Sequence, residues 1–313
     1  MKSVAHYDLS QLRVLDGGMA TELERRGCDI NGPLWSAHVL DTAPGTIQQV
    51  HLDYLRAGAD CISTASYQVS AKGYMELGRP SEDAARALRQ SVEIAEAARQ
   101  EYRRESDRPV LIAASLGPYG AALHNGAEFH GRYEIGFDDL VTFHAERLAV
   151  VAQTNADLVA LETIPSHEEA RAILAALAQF PFVRGWVSFT CRDQARVAHG
   201  ELLVDCAALV SRSEQVVAIG VNCTQPRFVE ELIRAAKGAS SKPACVYPNS
   251  GETWDSEARR WRGKSDVAEY GRLAAAWFAA GAHAVGGCCR TTSAHIQAVR
   301  AAWEAMRPEA MRQ

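Results

Sequence analysis

Hydrophobic and polar positions along this chain follow two alternating patterns. Short apolar runs rich in β-branched residues are followed by longer segments in which apolar residues recur at helical spacing. The first pattern is typical of buried strands and the second of amphipathic helices. The sequence therefore predicts eight strands, at residues 13–18, 60–66, 109–115, 157–163, 184–189, 216–223, 244–249 and 283–288.

Each predicted strand is followed by a predicted helix, and no linker divides the chain. The pattern indicates an α/β fold, a single (β/α)8 TIM barrel in which residues 1–313 form one domain. A doubly wound open sheet is the alternative, but it usually has fewer strands, and no glycine-rich dinucleotide motif follows the first strand. The helices are expected at residues 44–58, 81–105, 138–155, 167–179, 202–212, 226–237, 265–281 and 293–306.

Composition narrows the class of protein. The chain has 313 residues, of which 47% are hydrophobic, so it can bury a core without help from a disulfide or a metal. The formal net charge is -5 with no long run of either sign, which argues against a nucleic-acid or membrane surface. The N-terminal segment lacks the apolar core of a signal peptide, and no apolar run is long enough for a membrane span. We expect a cytoplasmic protein.

Three of the eight cysteines lie where a barrel carries its chemistry. Cys223 ends the sixth predicted strand, and Cys288 and Cys289 end the eighth. Barrel active sites lie at the C-terminal ends of the strands, so these three thiols are expected to converge. Three protein ligands with an open fourth position are typical of catalytic zinc, and soft thiolates favour zinc over magnesium or calcium. The alternative is a pair of small residues in a tight glycine turn, since no C-x-x-C spacing is present.

Polar groups at other strand ends are candidates for substrate binding. Asp16, Gly17 and Gly18 end the first predicted strand, where a carboxylate and two backbone N–H groups could hold the ammonium and carboxylate of an amino acid. An ordinary Asp-Gly turn is the alternative. Glu162 follows an apolar run and is expected to enter the mouth of the barrel, unless it caps the next helix. Asn222 could donate a hydrogen bond to a metal-bound sulfur.

Two long loops, residues 116–136 and 247–264, are rich in glycine and aromatic residues. They could form a lid in which an aromatic ring contacts a cationic substrate. Packing of the loops against the barrel is the alternative explanation for these rings. The candidate rings are Tyr119, Phe129, Tyr247 and Trp254.

Several of these segments together resemble the homocysteine S-methyltransferase family, and the likeness extends over nearly the whole chain. The segment YPNSGE at 247–252 further resembles the branch that uses S-methylmethionine or S-adenosylmethionine rather than betaine. The remaining matching segments are LDGGMATELERRG at 15–27, LET at 161–163, GVNCT at 220–224 and GGCCRT at 286–291.

The resemblance implies a reaction and a set of partners. The three cysteines would bind Zn2+, the sulfur of homocysteine would take the fourth position, and Asp16, the Gly17–Gly18 turn and Glu162 would hold the amino-acid end. The methyl group would come from a sulfonium, S-methylmethionine or S-adenosylmethionine, and methionine would form. No extended dimerisation arm is evident, which favours a monomer or weak homo-oligomer.

Two other functions use the same cysteines. A zinc-dependent hydrolase on a TIM barrel would activate water, but such enzymes favour His and carboxylate ligands, and the chain contains no H-E-x-x-H. A redox or zinc thiol sensor would form a disulfide without catalysis. A methyl-transfer assay on the reduced, zinc-loaded protein separates these functions.

Overall fold

The computed structural model describes residues 9–30, 32, 34, 36–255 and 260–306. Seven parallel strands form one curled sheet in the order β1-β2-β3-β4-β5-β6-β9. An antiparallel hairpin, β7–β8, lies in the chain between β6 and β9. The strands are β1 Cys61–Ser63, β2 Leu111–Leu116, β3 Leu158–Ile164, β4 Gly185–Phe189, β5 Val216–Asn222, β6 Ala244–Tyr247, β7 Thr253–Asp255, β8 Arg260–Arg262 and β9 Ala284–Val285.

Helices follow the strands of the sheet and cover its outer face. Short 3-10 turns lie at Leu9–Gln11, Ala127–Phe129 and Pro226–Phe228. The α-helices are α1 Met19–Arg25, α2 Ser36–Thr42, α3 Pro44–Arg56, α4 Ala71–Glu76, α5 Ser81–Tyr102, α6 Tyr119–Ala122, α7 Phe137–Val151, α8 His167–Leu177, α9 Leu203–Ser211, α10 Val229–Ala239, α11 Val267–Ala280 and α12 Ser293–Met306.

The predicted alternation of strands and helices is found for seven of the eight predicted strands. The exception is the predicted strand at 13–18, which forms only isolated parallel bridges, from Val14 to Val285 and from Leu15 to Cys61. These two bridges place residues 14–15 between the edge strands β9 and β1. The strand is short because the chain turns at Gly17–Gly18 and enters α1.

The elements that periodicity did not predict all lie in the loops. They are α1, α2, α4, α6 and the hairpin β7–β8. α6 has four residues and α4 has six, which is too short to show a helical repeat of apolar positions. Most of these elements lie in the loops that follow strand ends, and so they shape the rim of the sheet where a barrel enzyme binds its substrate.

Two packed cores explain the sequence pattern of the strands. One lies between the sheet and the helices, and the other lies inside the curl of the sheet, where Trp186, Cys61 and Cys245 are among the buried residues. Because both faces are covered, β3 is buried at every position from Leu158 to Ile164. The inner core forms a floor beneath the C-terminal strand ends. None of the helices in the described ranges has the length and apolar character needed to cross a membrane.

Candidate active site at the strand ends

Three thiols meet at the C-terminal ends of β5 and β9. Cys223 follows β5 directly, and Cys288 and Cys289 lie three and four residues after β9. Their sulfur atoms all lie within 4.8 Å of one another, and all three residues are half-buried. The predicted convergence of the three cysteines is therefore found, although Cys223 and Cys288 are 65 residues apart in sequence.

The structure pairs Cys223 and Cys288 as a disulfide with a Cα–Cα distance of 5.6 Å, and Cys289 Sγ lies 4.0 Å from Cys223 Sγ. Disulfide formation and metal binding use the same sulfur atoms, so they exclude one another. Burial raises the pKa of the Cys289 thiol to about 11, so a nearby cation is needed to ionise it at neutral pH. Three clustered soft donors fit a thiophilic metal such as zinc.

The backbone that presents Cys223 is strained. Cys223 has φ 48° and Thr163, at the end of β3, has φ 63°. Positive φ is unusual for any residue other than glycine and is a genuine outlier for a β-branched one. Asn222 stabilises this arrangement, since its Oδ1 accepts from the Thr163 N–H at 2.9 Å and its Nδ2 donates to Thr163 Oγ1 at 2.8 Å. Strain of this kind is concentrated at functional sites.

Asn222 has a further hydrogen-bond partner on β4. Its Oδ1 also accepts from Ser188 Oγ at 2.7 Å, so the amide joins the ends of β3, β4 and β5. Asn222 is 1% exposed. These contacts position the loop that carries Cys223, and a hydrogen bond from Asn222 to a metal-bound sulfur or to substrate stays a prediction.

Asp16 is buried next to the end of β1. Its carboxylate accepts from the Ser63 N–H at 2.6 Å and from Ser63 Oγ at 3.1 Å. Burial raises the pKa of Asp16 to about 8; the hydrogen bond from the Ser63 N–H opposes this shift, and the charge of Glu162 adds to it. The two carboxyl groups therefore lie close enough to repel each other when both are ionised.

Glu162 enters the same space from β3. It accepts a hydrogen bond from Ser115 Oγ, and Tyr247 also bonds to it. Burial raises the pKa of Glu162. Within the described part of the chain, neither Glu162 nor Asp16 forms an ion pair with a basic side chain. Two buried carboxyl groups without a basic partner are suited to a cationic ligand.

The Gly17–Gly18 turn packs tightly against the loop after β9. A Cβ on Gly18 would lie 2.5 Å from the carbonyl oxygen of Cys288, and a Cβ on Gly17 would lie 2.8 Å from the ring of Tyr54. The Gly18 N–H donates to Thr291 Oγ1 at 3.0 Å. The prediction that both glycine N–H groups are free for a substrate carboxylate is therefore wrong for Gly18.

The candidate lid aromatics have different environments. Tyr247 is buried at the end of β6 and accepts from Trp186 Nε1 at 2.9 Å, so it belongs to the floor of the site. Tyr119 packs against Tyr133 at a centroid distance of 5.4 Å. Phe129 is 52% exposed. Trp254 has its backbone in β7, and its side chain lies outside the described part of the structure.

Sequence reasoning missed Glu128 and Tyr67. Glu128 is buried in the loop after β2, and Tyr67 is half-buried after β1. Burial raises the pKa of Glu128 to about 7. The negative charge of Glu128 contributes to the raised pKa values of Tyr67 and Cys289. A lone glutamate between Ala127 and Phe129 gives no periodic signal, so only the tertiary structure reveals it.

A parallel α/β sheet with clustered thiols and buried carboxyl groups at its C-terminal edge is typical of an enzyme, with sulfur donors that suit a metal and acids that suit a cationic group. The family described as homocysteine S-methyltransferase matches residues 13–303. The chain belongs to the homocysteine S-methyltransferase family and is a methyltransferase.

Individual relatives agree over almost the full chain. Homocysteine S-methyltransferase YbgG of Bacillus subtilis is 44% identical over 309 residues, which cover 97% of this chain and 98% of the relative. The oxidized form of the homocysteine methyltransferase MmuM from Escherichia coli superimposes with a TM-score of 0.87 at 38% identity, covering 96% of this chain and 99% of MmuM. The metallated form of MmuM gives a TM-score of 0.83 at 40% identity and covers 93% and 96%.

Proposed function

We propose that this protein is a zinc-dependent homocysteine S-methyltransferase that uses a sulfonium donor, S-methylmethionine or S-adenosylmethionine. The observation that carries the proposal is the cluster of three sulfur atoms within 4.8 Å beside two buried carboxyl groups, in a member of this family. A hydrolase is not favoured, because the cluster contains neither His nor carboxylate ligands. A thiol sensor is not favoured either, because it would not need buried carboxyl groups beside its cysteines.

Cys223, Cys288 and Cys289, in their reduced state, would hold the zinc ion. When bound, zinc supplies a Lewis acid that favours the thiolate form of homocysteine. Converting a thiol of ordinary pKa to thiolate at pH 7 is worth only about 2 kcal/mol at 1.36 kcal/mol per pKa unit. Correct alignment of the two substrates can contribute roughly 7–11 kcal/mol, so most of the rate must come from the binding residues.

Asp16 and Glu162 would bind the ammonium group of homocysteine. Ser63 and Ser115 orient these carboxyl groups through the hydrogen bonds described above. The ammonium charge stabilises both carboxylates in their ionised form and offsets their burial. The Gly17 N–H lies at the same strand end and would donate a hydrogen bond to the substrate carboxylate.

The transfer itself is an in-line displacement. The homocysteine sulfur forms a bond to the methyl carbon as the bond from that carbon to the donor sulfur breaks, and the bonding pair leaves with the donor as a neutral thioether. No proton moves in this step, so the chain needs no general acid. The residues of the site bind and align the substrates and exclude water.

We also infer that the fold is a single, closed (β/α)8 barrel domain. The bridges from Val14 to Val285 and from Leu15 to Cys61 support this inference, because they link both edges of the seven-stranded sheet through residues 14–15. If these bridges extended into a full strand, residues 14–15 would belong to the eighth strand of the barrel. The proposed assembly is a monomer or weak homo-oligomer.

The test combines metal analysis with turnover. The reduced protein is expected to contain about one zinc per chain and to convert homocysteine to methionine with S-methylmethionine or S-adenosylmethionine, but not with betaine. Stoichiometric zinc without methyl transfer from either sulfonium would contradict the proposal. Full activity after complete removal of metal would contradict the zinc requirement alone.

A further inference from the structure

The buried carboxylate of Glu128 lacks a described hydrogen-bond partner for one of its oxygen atoms. Its side chain is 9% exposed, and its Oε2 atom has no hydrogen-bond partner among the described residues. An unpaired buried carboxylate oxygen is unfavourable, since burial removes water without replacing its hydrogen bonds. Groups of this kind are rare in folded proteins and call for a specific explanation.

The backbone around Glu128 is held firmly, so its position is built into the loop. Residues Ala127–Phe129 form a 3-10 turn, and the N–H groups of His130 and Gly131 both donate to the carbonyl oxygen of Ala127, at 3.1 and 2.7 Å. The turn packs against α6 at Gly120, where an added Cβ would overlap the backbone of Glu128.

The polar groups near Glu128 have other partners. Its charge acts on Tyr67, Tyr133 and Cys289. The hydroxyl of Tyr133 donates to Glu169, and the hydroxyl of Tyr67 bonds to the side chain of Thr163. Neither phenol therefore neutralises the carboxylate, and no ion pair to Glu128 occurs between described residues. The turn that carries Glu128 lies at the C-terminal edge of the sheet, because an added Cβ on Gly131, two residues after the turn, would lie 3.1 Å from Pro165, which directly follows β3.

We propose that Glu128 binds the sulfonium charge of the methyl donor; this inference rests on the proposed function. Homocysteine carries one positive group, its ammonium, which Asp16 and Glu162 would bind, so a third buried carboxylate is left for the second substrate. The donor's sulfonium must come close to the accepting sulfur beside Cys289, and the loop that carries Glu128 packs at the same edge of the sheet. A sulfonium has no N–H to donate, so a nearby anion in a dry pocket suits it.

The chemistry of transfer determines which kinetic constant depends on Glu128. The positive charge of the sulfonium disappears as the methyl group moves to the thiolate. A contact between Glu128 and that charge is therefore stronger in the bound donor complex than in the transition state. Loss of the contact should raise the KM for the donor without lowering kcat.

The test compares Glu128→Gln with Glu134→Gln, a matched change at an exposed position of the same loop. We expect Glu128→Gln to raise the KM of the sulfonium donor by roughly tenfold or more, as loss of a charged contact implies. The KM of homocysteine should stay within about twofold of the wild type, and kcat should stay the same or rise. Glu134→Gln should leave all three constants unchanged.

A binding measurement distinguishes the sulfonium from the rest of the donor. Calorimetry compares the sulfonium that the wild type uses with its demethylated thioether, which is L-methionine for S-methylmethionine and S-adenosylhomocysteine for S-adenosylmethionine. Glu128→Gln should weaken binding of the sulfonium and leave thioether binding unchanged. Equal weakening of both ligands would overturn the proposal, because it would assign Glu128 to the amino-acid portion.

Thermal unfolding separates this role from a structural one. Glu128→Gln removes a buried charge whose pairing is incomplete, so its Tm should equal or exceed that of the wild type. A lowered Tm with unchanged donor KM would show that Glu128 stabilises the loop and would overturn the proposal. Absence of methyl transfer in the wild type would instead contradict the proposed function itself.

Discussion

At the scale of single residues, burial determines the pKa values of several groups in the site. Cys289 and Asp16 have ordinary side chains, yet burial raises the pKa of both. In the proposed function each group would meet a positively charged partner, a metal in one case and a substrate ammonium in the other. Substitutions at these positions should therefore affect binding more than folding.

Cys288→Ala removes one of the three proposed metal ligands. Under reducing conditions we expect loss of bound zinc and a fall in methyl-transfer activity of more than roughly 100-fold, because two thiols remain where three are needed. The circular dichroism spectrum should stay that of the wild type. Cys28→Ala, a change at a half-buried free cysteine outside the cluster, is the control and should retain both zinc and activity. A zinc-replete, active Cys288→Ala protein would refute the ligand assignment.

Asp16 should make the stability of the substrate-free protein depend on pH. In the folded protein it keeps its proton up to about pH 8, whereas in an unfolded chain an aspartate loses it near pH 3.9. Between these values the folded state binds more protons, so the free energy of unfolding decreases as the pH rises. This contribution is fully present below the unfolded pKa and is lost once the pH passes the folded pKa.

Asp16→Asn cannot titrate and should lack this dependence. From pH 5 to pH 8.5, the Tm of the wild type should fall relative to that of Asp16→Asn by roughly 2–4 °C or more, the shift expected for about 1 kcal/mol in a chain of this size. The measurement is thermal unfolding of both proteins across the pH range without homocysteine. Parallel Tm curves would contradict the raised pKa.

At the scale of elements, the ends of β3, β4 and β5 act as one unit. Asn222 links them through hydrogen bonds to Thr163 and Ser188, and Thr163 and Cys223 both have positive φ. Hydrogen bonds of the sheet hold the strands side by side, whereas the side-chain amide of Asn222 fixes the backbone conformation at their ends. The thiol of Cys223 is thereby placed toward Cys288 and Cys289.

Asn222→Ala should disturb this unit. The change leaves the N–H of Thr163 and the hydroxyl of Ser188 without their buried partner, which is expected to lower the free energy of unfolding by about 1–3 kcal/mol. Activity should fall as well, because the loop that holds Cys223 loses its support. Asn155→Ala, at an exposed position that contacts Glu96, is the matched control and should change the Tm little. An Asn222→Ala protein with wild-type stability and activity would show that the amide is dispensable.

At the scale of the whole molecule, Asp60 joins distant parts of the chain at the opposite end of the sheet. Its Oδ2 accepts from the N–H groups of Arg13 and Val14, at 3.0 and 2.9 Å, and its Oδ1 accepts from Arg108 Nη1 at 2.8 Å and from Arg300. One carboxylate thus connects residues 13–14, the loop before β2 and helix α12.

Asp60→Ala should destabilise the fold as a whole. It removes the acceptor of two backbone N–H groups and the charged partner of two arginines, and loss of one partner of such a network costs about 3–5 kcal/mol. The cost should appear as a lower urea midpoint in equilibrium unfolding. Asp107→Ala, at an exposed position beside Arg108, should leave the midpoint nearly unchanged. Equal midpoints for the two variants would rule out a structural role for Asp60.

Sequence reasoning was accurate where the signal is periodic or carried by residue type. The apolar runs predicted the seven strands of the sheet, and the cysteines at strand ends predicted the cluster of sulfur atoms. It was less accurate for the first strand, which consists of only two bridging positions, and for the short helices of the loops. Periodicity needs several residues to become visible, and these elements have too few.

The sequence by itself determined the alternation of strands and helices, the family resemblance, and the residue types that suit a metal and an amino acid, because local propensity and burial pattern act along the chain. Only the tertiary structure decided that Asn222 positions Thr163, that the Gly18 N–H is already bonded to Thr291, and that Glu128 is buried in the loop after β2 with an unpaired carboxylate oxygen. Hydrogen-bond pairing and desolvation depend on neighbours brought together by folding, and the order of residues does not contain those distances.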